Sequence, residues 1–520
     1  MHYINLKNNR GFKWHKNNNT YVKGFAYTNE NKLLEDKLLS DYFLNIEDIE
    51  DFEDRLNSLN GLFTVVSIQN DTLYIAVDKL RVFPIFYTIK DEQIYISDII
   101  FELKNNNKIN DLAVAELLNC RFANKKYTIF DNIFQVQSGE LLVFNNGHLD
   151  NKIYKNYITD KVEDGNFKTY QDKFLNVLDN ITQRAISFAN GRTIVVPLSG
   201  GYDSRLIVSM LKKYNYENVI CYTYGRRDSS EVKISNKVAK EIGFKWIFVE
   251  YNEKTVPKNY ISDEKFLEYV DYASNGVSIP HIQDYFAVKY MHDNGMLPDD
   301  SIFMPGHSGD LIGGSNLSVP KSTKDTIIKN IMKKQYILNN IRMNDMKNIT
   351  LKHLEHYNIP ENFYYSVDDN YNISERQAKF IVNSCRVYEL FGYKFYLPLW
   401  DNEIYELFKM MPVELKENLY LYNKTIIDKL FTPLNIDFLK KQEIPKGSFV
   451  FKIRELLKYI IKTYFPTQIK NKIIEKSYKD NNNYTLISEP MKNDIDIEFP
   501  STNINGILGY WYINKRVKSL

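Results

Sequence analysis

The stretch Val195-Val196-Pro197-Leu198-Ser199-Gly200-Gly201-Tyr202-Asp203-Ser204 decides the fold, because it joins a predicted strand directly to a predicted helix. Residues 193–198 are mostly apolar and predict a buried strand that ends at the glycines. The helix that follows is predicted from apolar residues at helical spacing, which are Leu206, Ile207, Met210 and Leu211. A strand, a glycine-rich turn and a helix in immediate succession indicate an α/β domain.

The turn between this strand and helix has the composition of an anion-binding loop. Two glycines let backbone N–H groups approach a ligand closely, and the helix start adds free N–H groups and a partial positive charge. Together these groups suit a phosphate or a pyrophosphate. The predicted nucleotide-binding residues of the loop are Leu198, Ser199, Gly200, Gly201, Asp203 and Ser204. The alternative is an ordinary tight turn; a Walker loop is excluded because the Gly-Lys-Ser/Thr ending is missing.

Two aspartates predict a divalent cation beside this loop. Asp203 would repel a bare phosphate, which indicates that Mg²⁺ lies between the two. A second glycine-rich loop, Met304-Pro305-Gly306-His307-Ser308-Gly309-Asp310-Leu311-Ile312-Gly313-Gly314, follows another apolar segment. Because open parallel sheets bind ligands at the carboxyl ends of their strands, we expect both loops at one sheet edge, with Gly306 at the nucleotide. Asp310 then joins Asp203 as a metal ligand; the alternative is an ordinary glycine turn.

The composition is that of a soluble globular protein of two or three domains. The chain has 520 residues, of which 44% are hydrophobic and 25% are charged. A net charge of +2 gives no reason to expect a nucleic-acid partner. Three scattered cysteines exclude a disulfide framework and a cysteine zinc site, and they suit a reducing cytoplasm. We expect no signal peptide and no membrane span, and we expect His353 and His356 to be surface residues.

A polar stretch, residues 158–166, divides the chain into two predicted domains. Residues 1–157 predict short strands joined by Asn- and Asp-rich turns. The clearest of these strands are residues 62–69, 72–78, 85–88 and 93–97. Residues 166–520 begin with a helix and continue as alternating strands and helices, which predict a parallel sheet wrapped by helices. From about residue 320 the pattern is mainly helical.

In these motifs and in their order the chain resembles the asparagine synthetase family of N-type ATP pyrophosphatases. The Ser-Gly-Gly-Tyr-Asp-Ser loop at residues 199–204 is similar to the family's pyrophosphate loop. The weaker, collinear matches are Leu59-Asn60-Gly61-Leu62-Phe63, Asp78-Lys79-Leu80-Arg81-Val82-Phe83-Pro84-Ile85-Phe86-Tyr87, Thr128-Ile129-Phe130-Asp131-Asn132-Ile133, Ser138-Gly139, Tyr222-Thr223-Tyr224-Gly225 and Leu397-Pro398-Leu399-Trp400-Asp401. The resemblance implies that Tyr224 and Gly225 frame the adenine, with Glu231 at an acidic position of the family.

The resemblance implies a fold for each domain. Residues 1–157 resemble the family's Ntn-hydrolase-like, β-rich glutaminase domain, and residues 166–520 resemble its PP-loop, Rossmann-like synthetase domain, a parallel sheet with a helical extension. Glutamine-hydrolysing members use a Cys at position 2, where this chain has His2, and an oxyanion-loop Asn where it has Lys23. The first domain is therefore predicted to be a degenerate glutaminase, as in β-lactam synthetase and lasso-peptide cyclases.

Three further positions receive catalytic roles from the resemblance. His307 replaces a family Glu that faces the acyl-adenylate and the incoming amine. An imidazole with an ordinary pKa of about 6.5 can take a proton from an attacking ammonium; the alternative is a hydrogen bond to the pocket wall. Glu389 is predicted to take over the role of a carboxylate whose aligned position is Lys394. Lys441, with Lys446 as the alternative, is predicted to neutralise the phosphate and the intermediate.

The function that the resemblance implies is an ATP-dependent amide ligase. With ATP and Mg²⁺ it adenylates a carboxylate and releases pyrophosphate, and an amine or ammonia then displaces AMP. The implied partners are an amine donor and a small-molecule or saccharide carboxylate: aspartate, a peptide side chain or a uronic acid of a surface polysaccharide. The alternative is a catalytically silent nucleotide-binding scaffold in a biosynthetic complex.

Two questions of association stay open at this point. Residues 451–479 mix Leu, Ile and Phe with Lys and Arg. This pattern predicts an ordinary amphipathic packing helix, and a weak association with a membrane surface is the alternative. Assembly as a homodimer is neither required nor excluded by any motif in the sequence.

Overall fold

Three β-sheets organise the residues that the computed structural model describes, which are 2–104, 107–317, 323–354, 359–438, 480–495 and 503–518. The strands are β1 (His2–Asn5), β2 (His15–Asn17), β3 (Thr20–Tyr27), β4 (Leu33–Glu35), β5 (Asn60–Gln69), β6 (Thr72–Val77), β7 (Phe86–Lys90), β8 (Gln93–Ser97), β9 (Phe134–Gln135), β10 (Glu140–Asn145), β11 (His148–Ile153), β12 (Ile194–Pro197), β13 (Val219–Gly225), β14 (Lys245–Glu250), β15 (Ile302–Phe303) and β16 (Lys394–Phe395).

Helices cover these sheets and form most of the later part of the chain. They are α1 (Asp36–Tyr42), α2 (Ile49–Asn57), α3 (Asp111–Cys120), α4 (Phe167–Ala189), α5 (Tyr202–Lys213), α6 (Ser230–Ile242), α7 (Glu264–Ser274), α8 (Tyr285–Asp293), α9 (Gly309–Ile312), α10 (Lys324–Gln335), α11 (Met343–Leu354), α12 (Tyr365–Tyr371), α13 (Arg386–Leu390), α14 (Asn402–Lys409), α15 (Val413–Lys416), α16 (Tyr420–Ile426), α17 (Thr485–Asp494) and α18 (Ile504–Tyr512). π-helical segments lie at Asn372–Ile381, Ile427–Phe431 and Ile513–Val517.

The first domain contains two sheets that share a core, which confirms the predicted β-rich fold. One sheet has the order β1-β8-β7-β9, and the other has the order β11-β10-β6-β5-β3-β2 with β4 paired to β3. Successive side chains of a strand point to opposite faces, so the central strand β5 is buried on both sides. Val65 belongs to a cluster with Phe43 and Phe52 from the helical side, whereas Val66 packs with the other sheet.

The second domain is built on a five-stranded parallel sheet, as the alternation of strands and helices predicts. Its order is β14-β13-β12-β15-β16, and every neighbouring pair is parallel. Val195 of β12 is in register with Ile220 of β13 on one side and with Phe303 of β15 on the other. The direction of winding therefore reverses at β12, and a crevice opens where a sheet of this type binds ligands.

Helix α5 follows β12 after the glycine turn and packs its apolar side inward. Leu206, Ile207, Met210 and Leu211 are all buried, as predicted. Ahead of this domain, β11 ends at Ile153 and α4 begins at Phe167. The side chain of Asn166 accepts a hydrogen bond from Thr169 N and so caps α4.

From Lys324 onward the described chain is mainly helical, as predicted. One expectation is wrong: His353 is only 7% exposed, because its ring packs edge-on against Tyr371 and lies 3.9 Å from Glu375. His356, Lys441, Lys446 and residues 451–479 lie outside the described residues. Across the described ranges, no helix combines the length and the hydrophobicity that crossing a bilayer requires.

Candidate active site

The two glycine-rich loops contact each other at the carboxyl ends of β12 and β15. A Cβ atom on Gly306 would lie 2.6 Å from both Asp203 C and Ser204 N, so the loops touch through their backbones. The backbone N–H of Asp310 donates a hydrogen bond of 3.0 Å to Asp203 Oδ2. The expectation that both loops share one sheet edge is therefore met by direct contact.

The first loop leaves the start of α5 open to a ligand. Gly201 is the N-cap residue, and no side chain caps the helix there. The hydroxyl of Ser199 accepts from Gly201 N at 3.0 Å, and Ser204 Oγ accepts from Ser199 N at 3.1 Å. These bonds shape the turn, and the helix begins at a glycine that has no side chain to cap it, which is the arrangement that suits a phosphate.

Asp203 and Asp310 are the carboxylates available to a metal at this point. Asp203 Oδ1 accepts from the hydroxyl of Tyr422 at 2.9 Å, which fixes the side chain, and Asp310 is exposed. Among the described residues, no three His, Cys, Asp or Glu side chains cluster closely enough to hold a metal alone. Two carboxylates beside a phosphate cradle fit Mg²⁺, which commonly binds one or two carboxylates together with substrate phosphates and water.

A cavity of about 330 Å³ opens beside the two loops. Its lining includes the predicted residues Leu198, Ser199, Gly201, Asp203, Ser204, Tyr224, Gly306, His307 and Asp310. Gly200 lies just behind this lining, with Glu231 Cα 3.5 Å from the position of an added Cβ. Within the described part of the chain, the charged lining residues are four carboxylates, with no Lys or Arg: Asp203, Glu231, Asp284 and Asp310.

The end of β13 forms the wall that the resemblance assigns to adenine. Tyr224 lines the cavity and stacks on Tyr251 with ring centroids 4.9 Å apart. Gly225 has a φ of +121°, and an added Cβ would lie 3.1 Å from Asn482, another lining residue. Glycine is required here because this conformation and this close contact both disfavour a side chain.

His307 borders the cavity but differs electrostatically from the expectation. Its Nε2 lies 3.3 Å from Ser384 Oγ, and its Nδ1 lies 3.9 Å from Cys385 Sγ. Burial lowers the pKa of His307 to about 4, and burial together with His307 lowers that of the neighbouring His281 to about 3. The imidazole is therefore neutral at physiological pH, and it is a much weaker base than the ordinary value of about 6.5 implies.

Glu389 does not line the cavity, contrary to its predicted catalytic role. Its side chain is fully buried, pairs with Arg386, accepts from Tyr272 OH at 2.8 Å and lies 3.9 Å from Lys23 Nζ. A carboxylate held by these partners is committed to the packing between the domains. Lys394, the aligned position, pairs with Glu35 at 3.0 Å on another face.

The structure adds residues that motif matching did not single out. Asp284 Oδ2 accepts hydrogen bonds from Tyr222 OH at 2.7 Å and from Tyr388 OH at 3.0 Å. These three side chains, with His281 and Ser384, also line the cavity. Polar residues at 281, 283 and 284 interrupt an apolar stretch before α8, and this was the signal available in the sequence.

Two domain families match the sequence. The glutamine amidotransferase domain family matches residues 49–155, and the asparagine synthase family matches residues 183–314. The first match begins after His2 and Lys23, so it does not include the positions where the glutaminase residues differ. The second match contains both glycine-rich loops and ends at Gly314. No curated protein matches the chain.

Several solved structures are similar to parts of the chain. An NH3-dependent NAD synthetase from Campylobacter jejuni is 13% identical, with 37% of this chain and 80% of that chain covered and a TM-score of 0.20. An NMN synthetase from Francisella tularensis is 11% identical over 42% and 98%, with a TM-score of 0.23. A glutamine PRPP amidotransferase from B. subtilis is 8% identical over 56% and 63%, with a TM-score of 0.19.

Proposed function

Because the chain belongs to the asparagine synthetase family, we propose that it is an ATP-dependent carbon–nitrogen ligase that forms AMP and pyrophosphate. The observation that carries the proposal is the contact of the two loops, in which Asp310 N donates to Asp203 Oδ2. This contact brings two carboxylates, an uncapped helix start and the hydroxyls of Ser199 and Ser204 to one cavity. Such a set suits magnesium pyrophosphate.

The loop residues would bind the phosphates of ATP through groups of the chain itself. N–H groups at the start of α5 and the hydroxyls of Ser199 and Ser204 are the donors, and Tyr224 adjoins the base. Asp203 and Asp310 would hold Mg²⁺, which supplies positive charge for the leaving pyrophosphate. Fixed donors of this kind stabilise charge that develops on the phosphorus and on the acyl carbon.

The reaction has two steps. An oxygen of the substrate carboxylate attacks the α-phosphorus, the bond from that phosphorus to the bridging oxygen breaks, and pyrophosphate leaves with the electron pair. The nitrogen of an amine then attacks the acyl carbon, the bond from that carbon to the AMP oxygen breaks, and the nitrogen loses a proton. His307 is neutral and borders the cavity, so it would accept this proton.

The nitrogen would come from a free amine or ammonia rather than from glutamine. His2 stands at the nucleophile position, where its Nε2 contacts Asp71 O at 2.9 Å, and Lys23 is buried at the oxyanion position. Neither residue can replace a thiol nucleophile or a neutral oxyanion donor. We infer a cytoplasmic enzyme, since ATP is its substrate and its three buried cysteines are free.

The test is a product analysis with α-labelled ATP, Mg²⁺, hydroxylamine and single carboxylates that include L-aspartate and glucuronate. Hydroxylamine is a small neutral nucleophile, so it traps an acyl-adenylate as a hydroxamate without a dedicated amine site. We expect AMP, pyrophosphate and hydroxamate with at least one carboxylate. Asp203→Asn should reduce AMP formation by at least ~10²-fold, because metal and phosphate binding both depend on this carboxylate.

The matched control is Asp172→Asn, which makes the same change at an exposed surface pair with Lys168 and should behave as the parent. Formation of ADP and phosphate instead of AMP would reject the reaction class. ATP binding without turnover of any carboxylate would favour the alternative, a silent nucleotide-binding scaffold.

A further inference from the structure

Asp284 is a buried residue in the cavity wall, and only one of its two carboxylate oxygens has hydrogen-bond partners. The side chain is 6% exposed, and its Oδ2 accepts from the hydroxyls of Tyr222 and Tyr388. Its Oδ1 is buried and has no hydrogen-bond partner among the described residues. A charged acceptor that is buried without a hydrogen bond costs free energy. We therefore expect a ligand to donate a hydrogen bond to this oxygen, since the described chain supplies no donor.

The carboxylate of Asp284 does not perform the capping role that its position at a helix start would give it. Asp284 is the N-cap residue of α8, where an Asp side chain ordinarily accepts from the N–H groups of the first turn. Here no side-chain cap bond forms, because the carboxylate accepts from Tyr222 of β13 and Tyr388 of α13 instead. The side chain is thus held in the cavity wall at the expense of its usual local role.

The charge around Asp284 is also unbalanced. The proposed Mg²⁺ would balance Asp203 and Asp310, but no Lys or Arg of the described chain lines the cavity beside Asp284. Burial raises the pKa of Asp284 to about 6, and the two tyrosine hydroxyls oppose this rise. His281 and His307 are neutral, and His281 Nδ1 is a second buried atom without a partner. Aromatic rings and a carboxylate without a cation form a site that suits an ammonium group.

We propose that Asp284 binds the protonated primary amino group of a substrate, with Tyr222 and Tyr388 fixing the carboxylate and His281 accepting a second N–H. The inference rests on the proposed function in treating the ligand as a substrate. The amino group belongs either to the amine that displaces AMP, which transfers one proton to the Asp284 carboxylate before its nitrogen attacks, or to an amino acid that is adenylated. In both cases a substrate with an ammonium group is selected over its neutral analogue.

A binding experiment tests this assignment without turnover. The full chain, saturated with Mg²⁺ and α,β-methylene-ATP, is titrated calorimetrically with n-propylammonium chloride and, separately, with neutral n-propanol at pH 7.5. We expect the ammonium to bind and n-propanol not to bind. Asp284→Asn should weaken ammonium binding roughly 10-fold or more, since a hydrogen bond to a charged partner is lost. Equal affinity of parent and variant, or no binding to the parent, overturns the proposal.

Control variants separate a binding role from a structural one. Asp293→Asn removes a carboxylate at the far end of α8, where it pairs with Lys289, and should leave ammonium affinity unchanged. Tyr388→Phe keeps the charge of Asp284 but removes one hydroxyl donor, so it should weaken binding less than Asp284→Asn does. If Asp284→Asn does not fold, Tyr388→Phe decides, and an unchanged affinity there overturns the proposal.

Turnover assays identify the source of the amino group. If it belongs to an adenylated amino acid, Asp284→Asn lowers AMP formation with that acid, and the N-acetylated acid is a poor substrate for the parent. If it belongs to the amine, Asp284→Asn lowers product formation with alkylammonium by a larger factor than it lowers hydroxamate formation with hydroxylamine. The titration result does not depend on these turnover assays. If ammonium binding depends on Asp284 but no AMP is formed, the proposed reaction is rejected and the ammonium site is retained.

Discussion

Lys23 Nζ, on strand β3 of the first domain, lies 3.9 Å from Oε1 of Glu389, on helix α13 of the second. Both side chains are almost completely buried, and the ammonium also donates to Asn8 O at 2.8 Å. Lys23 therefore serves the packing between the domains. Arg386 completes the set by pairing with Glu389 and donating to Val82 O, a backbone acceptor in the first domain.

This pair predicts coupling between the domains. Glu389→Gln should lower the free energy of unfolding by about 3 kcal/mol, because it leaves two buried cations, Lys23 and Arg386, without their carboxylate. Lys23→Met should lower it by less, because Glu389 keeps its ion pair with Arg386. The double variant should lose less than the sum, as is usual for residues in one network. Urea unfolding followed by circular dichroism measures the losses. Lys37→Met, on the exposed face of α1, is the control, and strictly additive losses would contradict the coupling.

The same lysine predicts a pH dependence of stability. Burial lowers the pKa of Lys23 from 10.5 to about 8 in the folded protein. As pH rises, the folded state therefore releases the Lys23 proton at a lower pH than the unfolded state does. The stability gained from this deprotonation is complete above pH 10.5 and is lost as pH falls through about 8. Since one pKa unit corresponds to about 1.4 kcal/mol, the parent should gain about 3 kcal/mol relative to Lys23→Met between pH 7 and pH 10.5. If the difference in unfolding free energy between the parent and Lys23→Met stayed constant across this range, burial of the ammonium would carry no free-energy cost.

Glutamine should not be a nitrogen source. The purified protein should release no glutamate, and His2→Cys should not restore the activity, because Lys23 Nζ is held by Asn8 O and cannot act as a neutral oxyanion donor. A glutamate dehydrogenase-coupled assay measures the release. Steady glutamate formation that disappears in His2→Ala would refute this interpretation of the first domain.

His307 should act when the amine attacks and not when the carboxylate is adenylated. His307→Gln should keep carboxylate-dependent exchange of pyrophosphate into ATP and should lose amide product, by up to ~10²-fold for a weak base. Since the pKa of His307 lies at about 4, its protonation should not change the rate between pH 6 and pH 8. Equal loss of exchange and product would make His307 a residue that positions ATP or the carboxylate.

Gly306 should tolerate no side chain. An added Cβ would lie 2.6 Å from two backbone atoms of Asp203 and Ser204, which cannot rotate away as a side chain can. Gly306→Ala should therefore lower the free energy of unfolding by about 1–3 kcal/mol and weaken ATP binding, because it pushes the two loops apart. Thermal unfolding with and without MgATP measures both effects. Gly191→Ala is the comparison, since no atom lies within 4 Å of its added Cβ, although its positive φ carries some strain.

The sequence predicted the parts of this fold that depend on local pattern. The strand before Leu198 and the helix after Gly201 follow from hydrophobic spacing, and their contact with Gly306 follows from the rule for parallel sheets. Local pattern does not report long-range pairing. Glu389 looked available as a catalyst because its partner Lys23 lies 366 positions earlier in the chain, in another domain.

The same reasoning explains the errors about the two histidines. The polarity of residues around His353 suggested exposure, whereas the ring of Tyr371 from another helix covers it. For His307 the sequence identified the position but not the desolvation that lowers its pKa. The role of Asp284 could not be predicted, because its two tyrosine partners come from distant elements and no spacing in the sequence indicates the contacts.

The aromatic packing between the two domains has a consequence for the modularity of the chain. Phe12 meets Phe395 at 5.4 Å between ring centroids, and Phe25 stacks on Tyr396 at 5.3 Å, so one hydrophobic core runs through both halves. Cutting the chain near residue 160 would give two fragments, each with a large unprotected apolar face. We therefore expect each half to need the other in order to fold, so that deletion of the first domain would also destabilise the second, whatever chemistry the first domain performs itself.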